Sequence, residues 1–312
     1  MKCIAVDWGS SSFRAYLIDE AGRLADRVAN AKGVFTHTEG NFEATLLAAC
    51  GAWLDRWPGL PVIMAGMIGS RSGWWETPYA PCPVDRLELS RRLCALPAVK
   101  GVNLQLVPGI SGHSPNGAPD VMRGEEVQVF GALALTNTPD AIVCLPGTHS
   151  KWVQVNMGRI EQFSTFFTGE LFALLKQHSS IAAIMKGAAE HEESVDEDAF
   201  LQGVAYSRQN GGFLHHIFSA RARVLTGDWQ SGSLSAYLSG MLIGHELAGA
   251  SVLYPSAAPL LVVGNARLQA LYQRAADAYG YPVITVDADH AIVTGLCALA
   301  EDNLLPQKDH LC

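Results

Sequence analysis

Residues 4–19, IAVDWGSSSFRAYLID, decide how the whole chain is read. An apolar strand ends in an acid, a turn of small residues follows, and a second apolar strand returns. Asp, Gly and Ser are ordinary turn formers, so a plain β-turn accounts for the composition. The same residues also suit a phosphate. Small side chains leave backbone N–H groups and hydroxyls exposed, and an acid at a strand end can hold a divalent cation. Recurrence of the pattern elsewhere separates the two readings.

It does recur. The segment 142–156, IVCLPGTHSKWVQVN, lies on the opening hairpin at an offset of 138. Gly147 falls on Gly9, Thr148 on Ser10, Ser150 on Ser12 and Lys151 on Phe13. After a shorter turn, Gly158-Arg159-Ile160 matches Gly22-Arg23-Leu24. Each half therefore opens strand, hairpin, strand, turn, strand, helix, the mark of an internal duplication. Only the first hairpin carries the acid: Asp7 is matched by Leu145.

Around these hairpins the pattern predicts alternating strands and helices. In the first half, strands are expected over 2–7, 13–19, 24–31, 62–65 and 104–107. Helices are expected over 41–57, 87–96 and from 123 to about 135. The Gly- and Pro-rich run 108–122 reads as irregular. In the second half, a hairpin is expected over 142–156 and strands over 160–167, 260–263 and 283–286. Helices are expected from 169, over 196–208, 212–222 and 234–247, from 266 to 279, and over 291–300. Such alternation argues for two α/β domains with a cleft between them.

Bulk properties exclude several classes. The chain has 312 residues, 49% of them hydrophobic, and a net charge of −8. That balance argues against a broad nucleic-acid footprint. No apolar run approaches the ~20 residues of a membrane span, and the first residues do not read as a signal peptide. The seven cysteines include no C-x-x-C pair and read as buried thiols of a reducing, cytoplasmic setting. Apolar faces on the second-half helices could serve a homodimer as well as a core.

Two facing hairpins could clamp the phosphates of a nucleotide. Gly9, Ser10, Ser11 and Ser12 offer donors on one side, and Gly147, Thr148, His149 and Ser150 on the other. Arg14 and Lys151 are cations beside the turns. Asp7 is placed to hold Mg²⁺ through water, since magnesium dehydrates reluctantly. Gly264-Asn265, between a strand and a helix, would let an adenine or ribose approach the backbone; an ordinary strand-to-helix turn reads equally well. Phosphoryl transfer also needs a base for the acceptor alcohol. Glu125 and Glu126 stand at a helix start, where solvated acids that favour the helix dipole are the commoner explanation.

With these residues in view, the chain resembles the 2-dehydro-3-deoxygalactonokinases, a sugar-kinase branch of the actin-like ATPase superfamily. The resemblance rests on DWGSSSFRA (7–15), MAGMIGSRSGWWETPY (64–79), VMRGEEVQVFGA (121–132), PGTHSKWV (146–153) and FFTGELFALL (166–175). It implies an α/β fold of two ribonuclease-H-like domains, each βββαβα, divided at 1–137 and 138–312, with the last helix free to pack on the first. It implies ATP and Mg²⁺ as cofactors and a small sugar acid as substrate. The implied reaction converts 2-dehydro-3-deoxy-D-galactonate to its 6-phosphate.

By the same resemblance the base is Glu125 or Glu126, Glu125 being preferred narrowly, with Glu170 as a third acid. A keto acid needs donors for its carboxylate. Gly66, Met67, Gly69 and Ser70 could give backbone N–H groups and a hydroxyl at a strand's carboxyl end. Arg71 and Arg123 could pair with the carboxylate in bidentate fashion. Trp74, Trp75 and Tyr79 could form an aromatic wall, although packing is the simpler role for one of the two tryptophans. Two other readings stay open: a kinase for a different sugar or sugar acid, and a non-catalytic ATP- or sugar-binding regulator.

Overall fold

A computed structural model describes residues 1–304 apart from 38–39, 98, 100, 186–195, 230 and 256. The chain divides into two compact units. The first comprises 1–140, 155–163 and the segment from 288 onward; the second comprises 141–154 and 164–287. The first unit thus takes in the last helix.

In the first unit, β1 (Cys3–Trp8), β2 (Phe13–Ile18) and β3 (Leu24–Asn30) form an antiparallel meander. Helix α1 (Phe42–Arg56) leads to β4 (Val62–Ala65), which pairs parallel to β1. Short pieces follow: β5 (Ala80–Pro81), β6 (Val84–Asp85), α2 (Arg86–Ser90), β7 (Cys94–Ala95) and β8 (Leu104–Leu106). A hairpin of β9 (Ile110–His113) and β10 (Pro119–Met122) precedes α3 (Glu125–Thr136). The main sheet runs β3-β2-β1-β4-β8-β7. β1 is apolar along nearly its whole length because the sheet buries both of its faces.

The second unit carries β11 (Ala141–Leu145), β12 (Ser150–Asn156) and β13 (Arg159–Phe166), whose distal ends group with the first unit. Then come α4 (Thr168–His178), α5 (Ala182–Met185), α6 (Glu197–Ser207), α7 (Gly212–Leu225) and α8 (Leu234–Leu253). Next are β14 (Leu260–Gly264), α9 (Ala266–Ala278) and β15 (Val283–Asp287), before α10 (Ala288–Leu304). Its strands belong to a sheet ordered β15-β14-β11-β12-β13, while β6 pairs with the start of β13 inside the first unit. Counted from each opening hairpin, both sheets share the order third, second, first, fourth, followed by β8 in the first and β15 in the second. The duplication in the sequence is therefore a duplication of topology.

Two expectations need correction. The segment 87–96 is not one helix. Asp85 caps α2 in a capping box with Glu88, but the helix stops at Ser90, and Cys94–Ala95 pair antiparallel with β8. The run 108–122 is not irregular. Pro108 and Gly109 precede β9, Gly112 lies within it, Pro115 and Gly117 fall in the turn and Pro119 starts β10, so two four-residue strands pair in register from Ile110↔Met122 to His113↔Pro119.

One apolar core lies around β1, β4 and α1 in the first unit, with Trp8, Phe13 and Ile68 fully buried. Another lies around α6 and α8 in the second, with Phe200 and Tyr237 fully buried. Helix α8 is apolar on every side for this reason. In the first unit, Gly131 and Gly295 let α3 and α10 meet backbone to backbone: a Cβ on Gly131 would stand 1.8 Å from the Ala291 carbonyl oxygen. Six of the seven cysteines are free thiols, and Cys312 lies outside the described residues. Among the described residues, no helix is long and apolar enough to cross a membrane.

Candidate active site

The carboxyl ends of β1 and β4 and the start of α3 meet in the first unit. Asp7 stands beside Ala65 of β4 and opposite Arg14 of β2. Its carboxylate accepts a hydrogen bond from Arg14 Nη1 at 3.1 Å, and Asp289 Oδ1 lies 3.9 Å from that same nitrogen. Burial pushes the Asp7 carboxyl up and Arg14 pulls it down, while the charges of Asp289 and Glu125 push it further up. Asp289 opens α10, more than 270 residues from Asp7, and nothing local to either residue signals the pairing.

The first hairpin is held from behind. Gly9 N–H donates to the Ser12 carbonyl at 2.9 Å. Val34 and Phe35 donate to the carbonyls of Gly9 and Ser10 at 2.9 and 3.0 Å. Gly33 presses so closely on the turn that a Cβ there would sit 2.3 Å from the Ser11 backbone. The N–H groups of Ser10, Ser11 and Ser12 donate to no described group.

The second hairpin repeats this construction. Glu170 N–H donates to the Thr148 carbonyl at 2.9 Å, and a Cβ on Gly169 would stand 2.3 Å from the Gly147 oxygen. The N–H groups of Gly147, Thr148 and His149 donate to no described group. Successive N–H groups without a protein partner are what an anion-binding turn offers its ligand. The His149 ring stacks on Phe167 with centroids 5.1 Å apart, and its Nε2 lies 2.5 Å from Glu170 Oε2. Glu170, expected among the substrate residues, thus sits against the second hairpin.

Two residues of that hairpin turn away from solvent. The Ser150 hydroxyl is fully buried, 3.1 Å from the Tyr272 hydroxyl, so it is not a donor for a phosphate as the sequence suggested. Lys151 is also buried, with its ammonium donating to Thr165 Oγ1 at 2.7 Å. They begin β12 on opposite faces, and the strand is buried on both faces there.

The segment after β4 starts at Gly66, whose φ of 95° suits glycine. Gly69 and Ser70 spend their N–H groups on the carbonyls of Gly66 and Met67, and the Ser70 hydroxyl also donates to Met67. Two of the expected backbone donors therefore close the turn instead. Arg71 is exposed. Trp74 stacks on Phe42 at 6.4 Å and packs on the core, whereas Trp75 is exposed.

Arg123 is 9% exposed. Its guanidinium donates to the Thr77 hydroxyl and, at 2.9 Å, to the Thr77 carbonyl, and lies 4.4 Å from the centroid of the Tyr79 ring. No carboxylate pairs with that guanidinium among the described residues, and its Nε has no partner. Gly69 leaves the room it occupies: a Cβ there would meet Nη1 at 3.0 Å. A buried cation without an anion is costly unless a ligand supplies one.

Adjacent Glu125 and Glu126 differ sharply. Glu126 is fully buried. Its Oε2 accepts from Gly124 N–H at 2.7 Å, and its Oε1 has no partner. Burial, and then the charge of Glu125, pushes its carboxyl up to about 8. Glu125 is partly exposed and accepts from Arg123 N–H at 3.0 Å, leaving its other oxygen open.

At the third element, Asn265 Oδ1 accepts from Leu268 N–H at 2.9 Å. This is an N-cap, and it accounts for the asparagine where the sequence suggested an adenosine contact. A Cβ on Gly264 would meet only ordinary contacts, the nearest at 3.6 Å, so no close approach demands glycine there.

Residues 7–299 match the family model described as 2-keto-3-deoxy-galactonokinase. The 2-dehydro-3-deoxygalactonokinase of Escherichia coli (strain K12) is 36% identical over 301 residues, which cover 96% of this chain and 97% of that one. A crystal structure of a candidate 2-dehydro-3-deoxygalactonokinase from Sinorhizobium meliloti is 37% identical, with a TM-score of 0.88, covering 96% of this chain and 98% of that one. The ADPNP-bound activator of the 2-hydroxyisocaproyl-CoA dehydratase from Clostridium difficile shares the fold alone, at 12% identity and a TM-score of 0.52, over 97% and 96% of the two chains. The chain belongs to the 2-keto-3-deoxy-galactonokinase family.

Proposed function

We propose that the chain transfers the γ-phosphoryl group of ATP to the 6-hydroxyl of 2-dehydro-3-deoxy-D-galactonate, giving the 6-phosphate and ADP in galactonate catabolism. The observation that carries this reading is the pair of hairpins, each with three consecutive N–H groups that donate to no described group, on a chain matched to the family from residue 7 to 299. Phosphoryl transfer asks the protein chiefly for positioning and electrostatic stabilisation, and backbone N–H groups supply both.

Asp7 fits Mg²⁺ bound through water. It is a carboxylate at a strand end, with the charges of Asp289 and Glu125 nearby, and magnesium keeps waters and takes oxygens from phosphates. Bound there, the ion would neutralise charge on the transferred group. Arg14 holds Asp7 in place and is within reach of an incoming phosphate. Glu125 takes the proton from the acceptor hydroxyl, because it is the accessible acid of the pair at the start of α3. Glu126 is sealed off and holds the turn through Gly124 N–H. Arg123, pre-set by Thr77 and Tyr79, receives the substrate carboxylate.

A substrate panel with coupled ADP detection tests the assignment. The keto-deoxy sugar acid turns over faster than any neutral hexose; the reverse order would refute it. Glu125→Gln abolishes turnover while nucleotide still binds, and Glu126→Gln leaves turnover. The opposite pattern would move the base to Glu126.

A further inference from the structure

Glu246 of α8 is buried at 2% exposure, and several donors from the second hairpin's surroundings converge on its carboxylate. Trp152 Nε1 donates to Oε1 and the Tyr272 hydroxyl donates to Oε2, each at 2.8 Å. The Ser150 and Thr168 hydroxyls also hydrogen-bond to it, and Cys144 Sγ lies 3.9 Å from Oε1. Burial pushes the Glu246 carboxyl up, and the four hydroxyl and indole donors pull it back towards ionisation. No basic side chain pairs with it among the described residues. A buried carboxylate without a cation persists only when such donors satisfy it.

The donors lie on either side of one short segment. Cys144 is at the end of β11, and Ser150 and Trp152 are at the start of β12. Between them lie Gly147, Thr148 and His149. Thr168 opens α4, and its neighbours Gly169 and Glu170 press on the carbonyls of Gly147 and Thr148. The hairpin is thus fixed at both strand ends and from behind, and all three fixings meet at one carboxylate. Helices α8 and α9 supply the anchor from the core of the unit.

We propose that Glu246 is a positioning residue for nucleotide phosphate: it sets the backbone of Gly147–His149 so that their N–H groups converge on one anion. It touches no phosphate itself and acts through Ser150 and Thr168. This rests on the kinase reading for the nucleotide alone, not for the sugar acid.

Glu246→Gln is nearly isosteric and keeps an acceptor for Trp152, but its amide meets the hydroxyls of Ser150, Thr168 and Tyr272 with donors. The expected result is an ADP affinity by calorimetry, and a KM for ATP, each weakened about tenfold, of the order set by one misdirected charged hydrogen bond. The KM for the sugar acid stays within about twofold. Thr168→Ser, which keeps the hydroxyl, retains ADP affinity, whereas Thr168→Val weakens it. Lower thermal stability with unchanged ADP affinity in Glu246→Gln and Thr168→Val would overturn the proposal, since a merely structural role predicts that outcome. Should Glu246→Gln fail to fold, Thr168→Val against Thr168→Ser decides by the same readout. A wild-type chain that binds ADP but does not phosphorylate the keto acid would refute the substrate assignment and leave this test standing. A wild-type chain that binds no nucleotide would overturn both.

Discussion

Replacing Glu126 by Gln should change how stability depends on pH. In the folded chain the carboxyl titrates near 8, against an ordinary value of 4.5. Between those limits the folded state keeps a proton that the unfolded chain has released. Stability therefore falls as pH rises from about 4.5 through about 8. The slope approaches about 1.4 kcal/mol per pH unit in mid-window, and the total between the limits is about 5 kcal/mol. Glu126 is fully buried, so solvent screening takes little from that figure. An amide carries no charge to bury, and it offers a donor for whatever lies near the unpartnered Oε1. Glu126→Gln should thus flatten the profile and be the more stable protein at pH 8. The assay is urea denaturation at pH 5, 6, 7 and 8 followed by tryptophan fluorescence. Five of the seven tryptophans (Trp8, Trp53, Trp57, Trp74 and Trp75) belong to the first unit, so the signal reports the unit that holds Glu126. Equal slopes in wild type and variant would refute the assignment of this titration to Glu126.

Other changes separate the roles of neighbouring groups. Asp7→Asn should lose at least about a hundredfold in turnover while calorimetry still detects ADP, because the amide keeps the hairpin but loses the charge that attracts a cation; full activity would remove Asp7 from the mechanism. Arg123→Lys should raise the KM for the keto acid about tenfold or more with ADP affinity unchanged, since an ammonium cannot both fork onto Thr77 and pair with a carboxylate; an unchanged KM would place the carboxylate elsewhere. Gly33→Ala should cost about 1–3 kcal/mol in thermal or urea stability and weaken ADP binding, as its Cβ would collide with the Ser11 backbone; a neutral effect would show that the first hairpin needs no such backing.

Much of this was legible in the sequence where chemistry is local. A strand, a turn of small residues and a returning strand are contiguous, so both hairpins and their duplication can be read directly. The strand at Val62–Ala65 lies between a Pro-Gly stop and Gly66, which bound it clearly. Glu126 falls one helical turn before Phe130, a hint that it points inward, yet that spacing does not reveal total burial. What escaped is tertiary. The Glu246 network draws on positions from 144 to 272, and Asp289 reaches Arg14 from the far end of the chain. The two failures of local reading have a common cause. In 87–96 and 108–122 the elements are only two to five residues long, too short for either period to establish itself. Asn265 misled because the same small polar residue serves a ligand contact and a helix cap equally well.

The grouping of α10 with the first unit has a consequence for biosynthesis. The strands that carry Asp7 and Arg14 leave the ribosome early, but the helix that packs on α3 and brings Asp289 to them is made after the whole second unit. The second hairpin and its Glu246 anchor can thus mature while the chain is still growing, whereas the first hairpin waits for residues beyond 288. Until α10 docks, the apolar flank of α3 around Val127 and Gly131 is uncovered. The hairpin synthesised first is the hairpin completed last.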